Sequence, residues 1–405
     1  METLEKVFII QPVLDDNWRT LHDEAKALIE SAGGAYCGSC YQNIKQVNPS
    51  TFIGSGKLKE IAELLDGLED VTVLFNGELT PSQTLNISAA LNDRKVIDRT
   101  TLILDIFALN AVTSEGKVQV ELAQLKYIYP RLKGKGAALS RLGGGIGSRG
   151  PGETQLETDR RHIRYRIKYL EKRLEELSTR RTLFSDRRSK RGVNVIALVG
   201  YTNTGKSSLM NVLTGAGVLE KNALFATLDP TVRKLEIDGV EYLLIDTVGF
   251  IQKLPHDIVE AFKSTLESAV NCDLALFVAD ASDNFTMQLE TTCFTLASLG
   301  FNKPYLKVLN KCDKLESTEH LPSDCIYISA KNRQGIEELK KSISRSFADR
   351  YTSIELFFTY DKLKEYSSVE NFFNEQSRSY TDSGVEISGT IDNRYISSVA
   401  KYIRR

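Results

Sequence analysis

The chain has 405 residues, 41% hydrophobic and 26% charged, proportions of a globular protein that exclude wholesale disorder. That length exceeds one ordinary domain and suits two to four. The net charge is −1, yet residues 131–191 hold 18 basic and 7 acidic residues, a local +11 against −12 for the rest, which points to a polyanionic partner.

No run of eighteen apolar residues offers a membrane span. The opening stretch METLEKVFIIQPVLDD has no basic segment followed by a long apolar core, so export is not expected. The six cysteines (Cys37, Cys40, Cys272, Cys293, Cys312 and Cys325) are too scattered to staple a chain of this size. A reducing, cytoplasmic setting is the expectation.

Residues 1–112 alternate β-rich runs with amphipathic stretches. Strands are predicted over 7–10, 71–75 and 95–97, and helices over 21–32, 58–65 and 82–91, a pattern of a small α/β layer with parallel strands. Residues 100–110 read as an apolar helix leading out of it.

Two helical patterns follow in residues 113–192, separated by a glycine-rich break at 133–152. Val118, Leu122, Leu125, Tyr129 and Leu132 are spaced 4, 3, 4, 3, and Pro130 should end or kink that helix near its last turn. Leu156, Ile163, Ile167, Leu170, Leu174 and Leu177 give a second seam of heptad type, so an antiparallel hairpin is predicted. The second helix is dense in arginine: Arg160, Arg161, Arg164, Arg166, Arg173, Arg180 and Arg181. The break carries Lys135, Arg141 and Arg149, the run Gly143, Gly144 and Gly145, and no acid between 134 and 152. Low side-chain bulk leaves backbone N–H groups free to approach phosphates, so the break is read as a phosphate-backbone contact rather than a solvated linker.

At Val193 the pattern changes to strands and helices that alternate to about residue 349. Gly200, Tyr201, Thr202, Asn203, Thr204, Gly205, Lys206 and Ser207 satisfy G-x-x-x-x-G-K-[ST] between a strand and a helix, the context a phosphate-binding loop requires. Lys206 would reach the β- and γ-phosphates and Ser207 would ligate Mg²⁺. Asn310, Lys311, Cys312 and Asp313 follow a strand, and a carboxylate at Asp313 accepts both the N1–H and the 2-amino of guanine, donors that adenine lacks there. Ser329, Ala330 and Lys331 supply a turn whose N–H can donate to guanine O6. Asp246, Thr247, Val248 and Gly249 end another strand, with Asp246 expected to hold Mg²⁺ through water and the Gly249 N–H to face the γ-phosphate. Four motifs in this order specify a guanine-nucleotide site. Phe225, Ala226, Thr227, Leu228 and Asp229 lie where a nucleotide-sensing loop belongs, with Thr227 chosen as the second protein ligand of Mg²⁺ and Thr231 competing. Phe250 stands where small GTPases place a water-orienting glutamine, which predicts slow intrinsic hydrolysis. Asn203 either ligates a K⁺ that replaces an arginine finger or bonds the loop backbone. Both readings stay open.

The strings GYTNTGKSSL, LFATLDPT, DTVGF, NKCD and SAK, with VELAQLKYIYPRL and LSRLGGGIGSRGPGET, resemble the HflX family of GTPases from about residue 54 to 331. The glycine-rich string is the specific part; the nucleotide motifs are shared by many GTPases. The resemblance implies a GTPase that binds GTP and GDP and docks on the large ribosomal subunit, its hairpin and loop reaching rRNA near the peptidyl-transferase centre, and that splits or rescues stalled or idle ribosomes. Under it the fold is multidomain α/β: an N-terminal α/β domain (1–112), the helical hairpin (113–192), a P-loop GTPase domain with a mixed, mostly parallel sheet (193–349), and a small C-terminal α/β module (350–405). A monomer is expected, and peripheral membrane association stays open. The competing reading is a nucleotide-gated RNA-binding or membrane-transport regulator with hydrolysis incidental. Gly54, Ser55, Gly56 and Lys57 imitate a second phosphate loop, but Thr51 stands where glycine belongs, and the four scattered histidines offer no metal set.

Overall fold

The computed structural model describes residues 4–140, 151–190, 193–215, 224–225, 230–252, 258, 266, 269–315, 317, 322–370 and 373–404. It divides into two compact units. The first gathers Met1–Ser178 with Lys221–Asp229 and Val248–Leu266; the second gathers Thr179–Glu220, Pro230–Thr247 and Glu267–Arg405.

The first unit begins with a four-stranded parallel sheet, order β2-β1-β3-β4, built from β1 (Lys6–Val13), β2 (Ala35–Asn43), β3 (Val71–Phe75) and β4 (Val96–Asp98). Between the strands run α1 (Trp18–Ser31), α2 (Ser55–Leu64) and α3 (Pro81–Ala90), and α4 (Arg99–Asn110) follows β4. Leu21, Ala25, Leu28 and Ile29 bury one face of α1, the helical spacing 4, 3, 1. Phe8, Ile10, Val73 and Phe75 line the other side of the sheet with Leu58 and Ile61 of α2 and Ile87 of α3. Thr80 and Gln83 start α3 with a reciprocal capping box, and Asp98 caps α4 by accepting from the Thr101 N–H at 2.9 Å.

The strand β2 goes beyond the three strands predicted for this layer. It is an edge strand with most side chains exposed, so it lacks the buried apolar signal that marks β1 and β3. Its register slips at Cys37, between the pairs Val7–Tyr36 and Phe8–Gly38. Cys37 is exposed and Cys40 buried.

The hairpin is formed by α5 (Ser114–Ser140) and α6 (Pro151–Lys190). Val118, Leu122 and Leu170 are buried in its seam, with Leu125, Ile167 and Leu174 packed against them. Of the end or kink expected at Pro130, the end is not found: Pro130 lies inside α5. The Arg131 guanidinium donates to the Tyr127 carbonyl at 2.9 Å, beside the Lys126 carbonyl that proline cannot serve. The helices also run into the stretch read as a loop over 133–152, leaving only 141–150 between them; Ala137, Ala138 and Leu139 are strong helix formers that outweigh Gly134 and Gly136.

The second unit holds a six-stranded sheet, order β10-β9-β8-β5-β7-β6, from β5 (Asn194–Gly200), β6 (Thr231–Ile237), β7 (Val240–Asp246), β8 (Leu274–Asp280), β9 (Tyr305–Asn310) and β10 (Cys325–Tyr327). All neighbours are parallel except β6 against β7. β5 and β8 are near-continuous apolar runs, as strands covered on both faces must be. Helices Lys206–Thr214, Phe285–Ser298 and Ile336–Ala348 flank the sheet in sequence. A three-stranded antiparallel sheet, order β11-β13-β12, closes the chain with Tyr351–Thr359 (β11), Phe373–Thr381 (β12) and Gly384–Asp392 (β13). Arg350 joins it to the larger sheet, reaching Asp273 at 2.8 Å and Asp392 at 3.1 Å.

Candidate functional site

The phosphate-binding loop opens where β5 ends. Gly200 adopts φ +155 and a Cβ there would stand 2.1 Å from the Val278 carbonyl, so only glycine lets the two strands approach. Gly205 adopts φ +88, in the left-handed region, and a Cβ would meet the Asn310 amide nitrogen at 2.3 Å. Asn203 also has positive φ, +57. Lys206, which follows Gly205, starts a helix, so backbone N–H groups converge at a helix N-terminus, as anion binding requires.

Lys206 is buried and donates to the carbonyls of Gly200 at 3.1 Å and Tyr201 at 2.7 Å. Burial pushes its ammonium down to about 8; the Asp246 carboxylate opposes the shift and Lys311 adds to it. Ser207 Oγ donates to Asp246 Oδ2 at 2.7 Å. These are two hard oxygen donors side by side at the end of β7, a set that suits Mg²⁺. Thr247 is fully buried and donates to the Leu198 carbonyl at 2.7 Å, and Val248 and Gly249 are buried.

Asn310 is the hub of the base-reading side. Its amide donates to the Thr204 carbonyl at 2.8 Å, and its Oδ1 accepts from the Ala330 N–H at 3.0 Å. One buried side chain thus ties the phosphate loop to the turn of residues 329–331. The Ala330 N–H is engaged on Asn310 in this arrangement, where the sequence had offered that turn as a donor to guanine O6. Lys311, at φ +66, donates to the Asn203 carbonyl at 2.7 Å and pairs with Asp280 Oδ2 at 2.7 Å. The Cys312 N–H donates to the Ile328 carbonyl at 3.1 Å. Ser329 Oγ donates to Asp313 Oδ1 at 2.6 Å and accepts from the Asn332 N–H at 3.1 Å, which fixes the plane of an otherwise exposed carboxylate. Lys331 is exposed.

Asp280 is the site residue the sequence reading missed. Burial pushes its carboxyl up, but hydrogen bonds from Lys311 and Ser282 outweigh that and hold it below the usual range. Its signal is positional: it ends the apolar strand β8, at the edge where nucleotides bind in α/β sheets.

Thr231 is the first residue of β6 and the register partner of Asp246. Ala226, Thr227, Leu228 and Asp229 lie outside the described residues, as do Arg141, Gly143, Gly144, Gly145 and Arg149; Lys135 falls within α5. Phe225 is buried and meets Phe107 of α4 edge-on at 4.6 Å, in the first unit. Beside it the Leu224 N–H donates to Ser31 Oγ at 2.9 Å. Gln252, two residues beyond the buried Phe250, accepts at its carbonyl from Arg99 at 3.5 Å, and Arg99 also holds Glu24 at 2.6 Å. Leu224, Phe225 and Gln252 thus contact the N-terminal layer within the first unit.

Comparison with known proteins gives this geometry its family. Residues 20–108 match the GTP-binding GTPase N-terminal region, 110–188 the GTP-binding GTPase middle region, and 195–311 the 50S ribosome-binding GTPase domain. GTPase HflX of Caldanaerobacter subterraneus subsp. tengcongensis is 46% identical over 372 residues, covering 91% of this chain and 87% of that one. The chain belongs to the HflX family of GTPases. GTPase HflX of Escherichia coli is 43% identical over 331 residues, 79% of this chain and 78% of its own. A GTP-binding protein from Sulfolobus solfataricus, solved in complex with GDP, covers 85% of this chain and 99% of that one at 27% identity and a TM-score of 0.46. The matched regions and the two HflX relatives establish the family resemblance read from the motifs, and the structure itself shows the mixed G-domain sheet, the parallel N-terminal layer and the hairpin. No described helix is long and apolar enough to cross a membrane.

Proposed function

We propose that this HflX-family chain is a Mg²⁺-dependent GTPase that docks on the large ribosomal subunit and couples GTP binding and hydrolysis to splitting or rescue of stalled or idle ribosomes. The observation that carries the nucleotide half is the Asn310 hub, which holds the phosphate loop and the turn at 329–331 in one frame beside Asp313. The ribosomal half is supported by the match of residues 195–311 and by the +11 segment at 131–191.

In this reading the loop N–H groups of 200–207 enclose the phosphates, and Lys206 exchanges the carbonyls of Gly200 and Tyr201 for phosphate oxygens. Ser207 and Thr227 would hold Mg²⁺ directly and Asp246 through water; the ion would offset charge building on the phosphate oxygens. Thr227 is preferred over Thr231 because a ligand that must leave after hydrolysis belongs on a loop, whereas Thr231 is held in β6. Phe250 offers no hydrogen bond to water, so intrinsic turnover is slow and the ribosome is the expected accelerator. A K⁺ held by Asn203 would help where an arginine finger acts in other enzymes. The four-part division at about 112, 192 and 349 follows from the same reading.

The experiment is GTP turnover with and without large subunits. Stimulation of at least tenfold is expected, and none would remove the ribosomal role. Thr227→Ala should keep GDP binding and lose most of the turnover; the same defect in Thr231→Ala alone would move the Mg²⁺ ligand to β6.

A further inference from the structure

The threonine and serine hydroxyls of the phosphate loop have acceptors, with one exception. Thr204 Oγ1 donates to the Tyr201 carbonyl at 3.0 Å and Ser207 Oγ to Asp246 Oδ2 at 2.7 Å. Thr202 is 5% exposed, and among the described residues its buried Oγ1 makes no hydrogen bond. A buried hydroxyl left without a partner costs stability, and a valine of nearly the same shape would avoid that cost. The loop keeps the hydroxyl nonetheless.

The residue is held from both sides. Before it, the Tyr201 carbonyl accepts from Thr204 and from the Lys206 ammonium at 2.7 Å; after it, the Asn203 carbonyl accepts from Lys311 at 2.7 Å. A β-branched side chain has few χ1 choices, so the oxygen is placed before any nucleotide arrives. Residues 203 and 204 are tied to the base-reading segment by Lys311 and Asn310, whereas 200 and 201 are tied to the lysine that serves the β- and γ-phosphates. Thr202 is where the loop passes from one to the other, and its hydroxyl, bonded to neither, is left for the substrate. Such a group is needed, because Phe250 brings no hydrogen-bonding side-chain atom to the position from which small GTPases orient the attacking water. A hydroxyl can serve, since it donates one hydrogen bond and accepts others.

We infer that the Thr202 hydroxyl is a catalytic group of GTP hydrolysis, donating to an oxygen of the γ-phosphate and accepting from the attacking water. Held this way, the water faces the γ-phosphorus in line with the leaving oxygen. Its oxygen bonds to that phosphorus, and the bond to the β–γ bridging oxygen breaks, its electron pair leaving with GDP. One water proton ends on the released phosphate, and the threonine is unchanged. This role rests on the GTPase reading above and fills the place that Phe250 leaves empty.

The test compares the full chain with Thr202→Val and Thr202→Ser in single-turnover GTP hydrolysis at saturating protein, with and without large subunits. Thr202→Val should slow hydrolysis on the order of tenfold or more in both conditions, and Thr202→Ser should stay within about threefold of wild type. GDP affinity should hold within about twofold in both variants, because GDP has no γ-phosphate for the hydroxyl to meet. Binding of aluminium fluoride beside GDP, which imitates the phosphoryl group in transfer, should weaken on the order of tenfold in the valine variant alone. Thermal melts of the nucleotide-free valine variant should lie no lower than wild type, since no hydrogen bond is lost. A structural hydroxyl would give the opposite pattern, with a lower melt and weaker GDP binding, and that result would overturn the role. Wild-type hydrolysis in Thr202→Val, or failure of Thr202→Ser to keep it, would overturn it as well. Absence of hydrolysis in the unaltered chain under both conditions is a separate result, which fells the GTPase reading and this role together.

Discussion

Lys206 is buried, and among the described residues its ammonium donates to two loop carbonyls near the Asp246 carboxylate. With the ammonium pushed down to about 8, the free protein begins to lose this proton just above neutral pH. Phosphates favour the charged form, so the bound state keeps the proton to higher pH. The sign follows: below about 8 both states are protonated and affinity is flat, while above it binding must take up a proton and affinity falls with pH. Calorimetry of GDP binding at pH 8.5 in two buffers of different ionisation enthalpy should show uptake of roughly 0.5–1 proton, falling toward zero at pH 7. At Asp313 the expectation is chemical rather than electrostatic. Ser329 fixes one carboxylate oxygen and the exposed position leaves the other for the base. Asp313→Asn should weaken GDP binding at least tenfold and admit xanthosine diphosphate, because an amide pairs with a base carrying a carbonyl at C2. Equal affinity for guanine and xanthine nucleotides in the unaltered protein would remove Asp313 from base reading.

Among the elements, the hairpin separates packing from charge. Leu170 is 1% exposed in the seam, so Leu170→Ala leaves a cavity and should cost about 2–4 kcal/mol in urea unfolding followed by hairpin helicity. The Glu121–Arg166 pair has good geometry but is about half exposed on both sides, so Glu121→Ala should cost far less than Leu170→Ala in the same measurement. A reversed order would mean that ion pairs rather than the seam hold the helices together. This seam was legible in the sequence because its period is long and sustained over both helices. The strand β2 was not, because an edge strand with Tyr36, Cys37, Ser39 and Tyr41 exposed and a slip at Cys37 presents no alternation to read. Pro130 does not end the helix for a related reason: one residue's preference is local, whereas Leu125 and the buried Tyr127 before it hold the helix by tertiary contact. In the nucleotide site the motif residues announced themselves by type and order. Asp280 and the Ala330–Asn310 bond did not, since both follow from which strands lie side by side.

Across the whole chain the decisive quantity is how charge is shared out. A −1 protein has no general affinity for RNA, yet the segment 131–191 carries +11 and the remainder −12. Arg166 spends part of that charge on Glu121, while Glu171 inside the segment is paired by Lys126 from outside it, and the glycine-rich stretch offers Arg141 and Arg149 with no acid between 134 and 152. A polyanion therefore finds one attractive segment on a chain that otherwise repels it, which gives direction to docking as well as strength. Each arginine that meets an rRNA phosphate releases its condensed counterions, so affinity should fall steeply with salt. Replacing Arg141 and Arg149 together by alanine should weaken binding to large subunits and lower the slope of log affinity against log salt by about 2. Shortening the run Gly143, Gly144 and Gly145 by two residues should weaken binding while leaving the slope near wild type, because it removes close backbone approach and no charge. Turnover without ribosomes should be unchanged in both variants, since neither alters residues 200–207, 246 or 310–313. Cosedimentation of both variants at wild-type strength across 50–300 mM salt would return the stretch to the role of a connector and leave the helical part of the hairpin to carry the cationic contact.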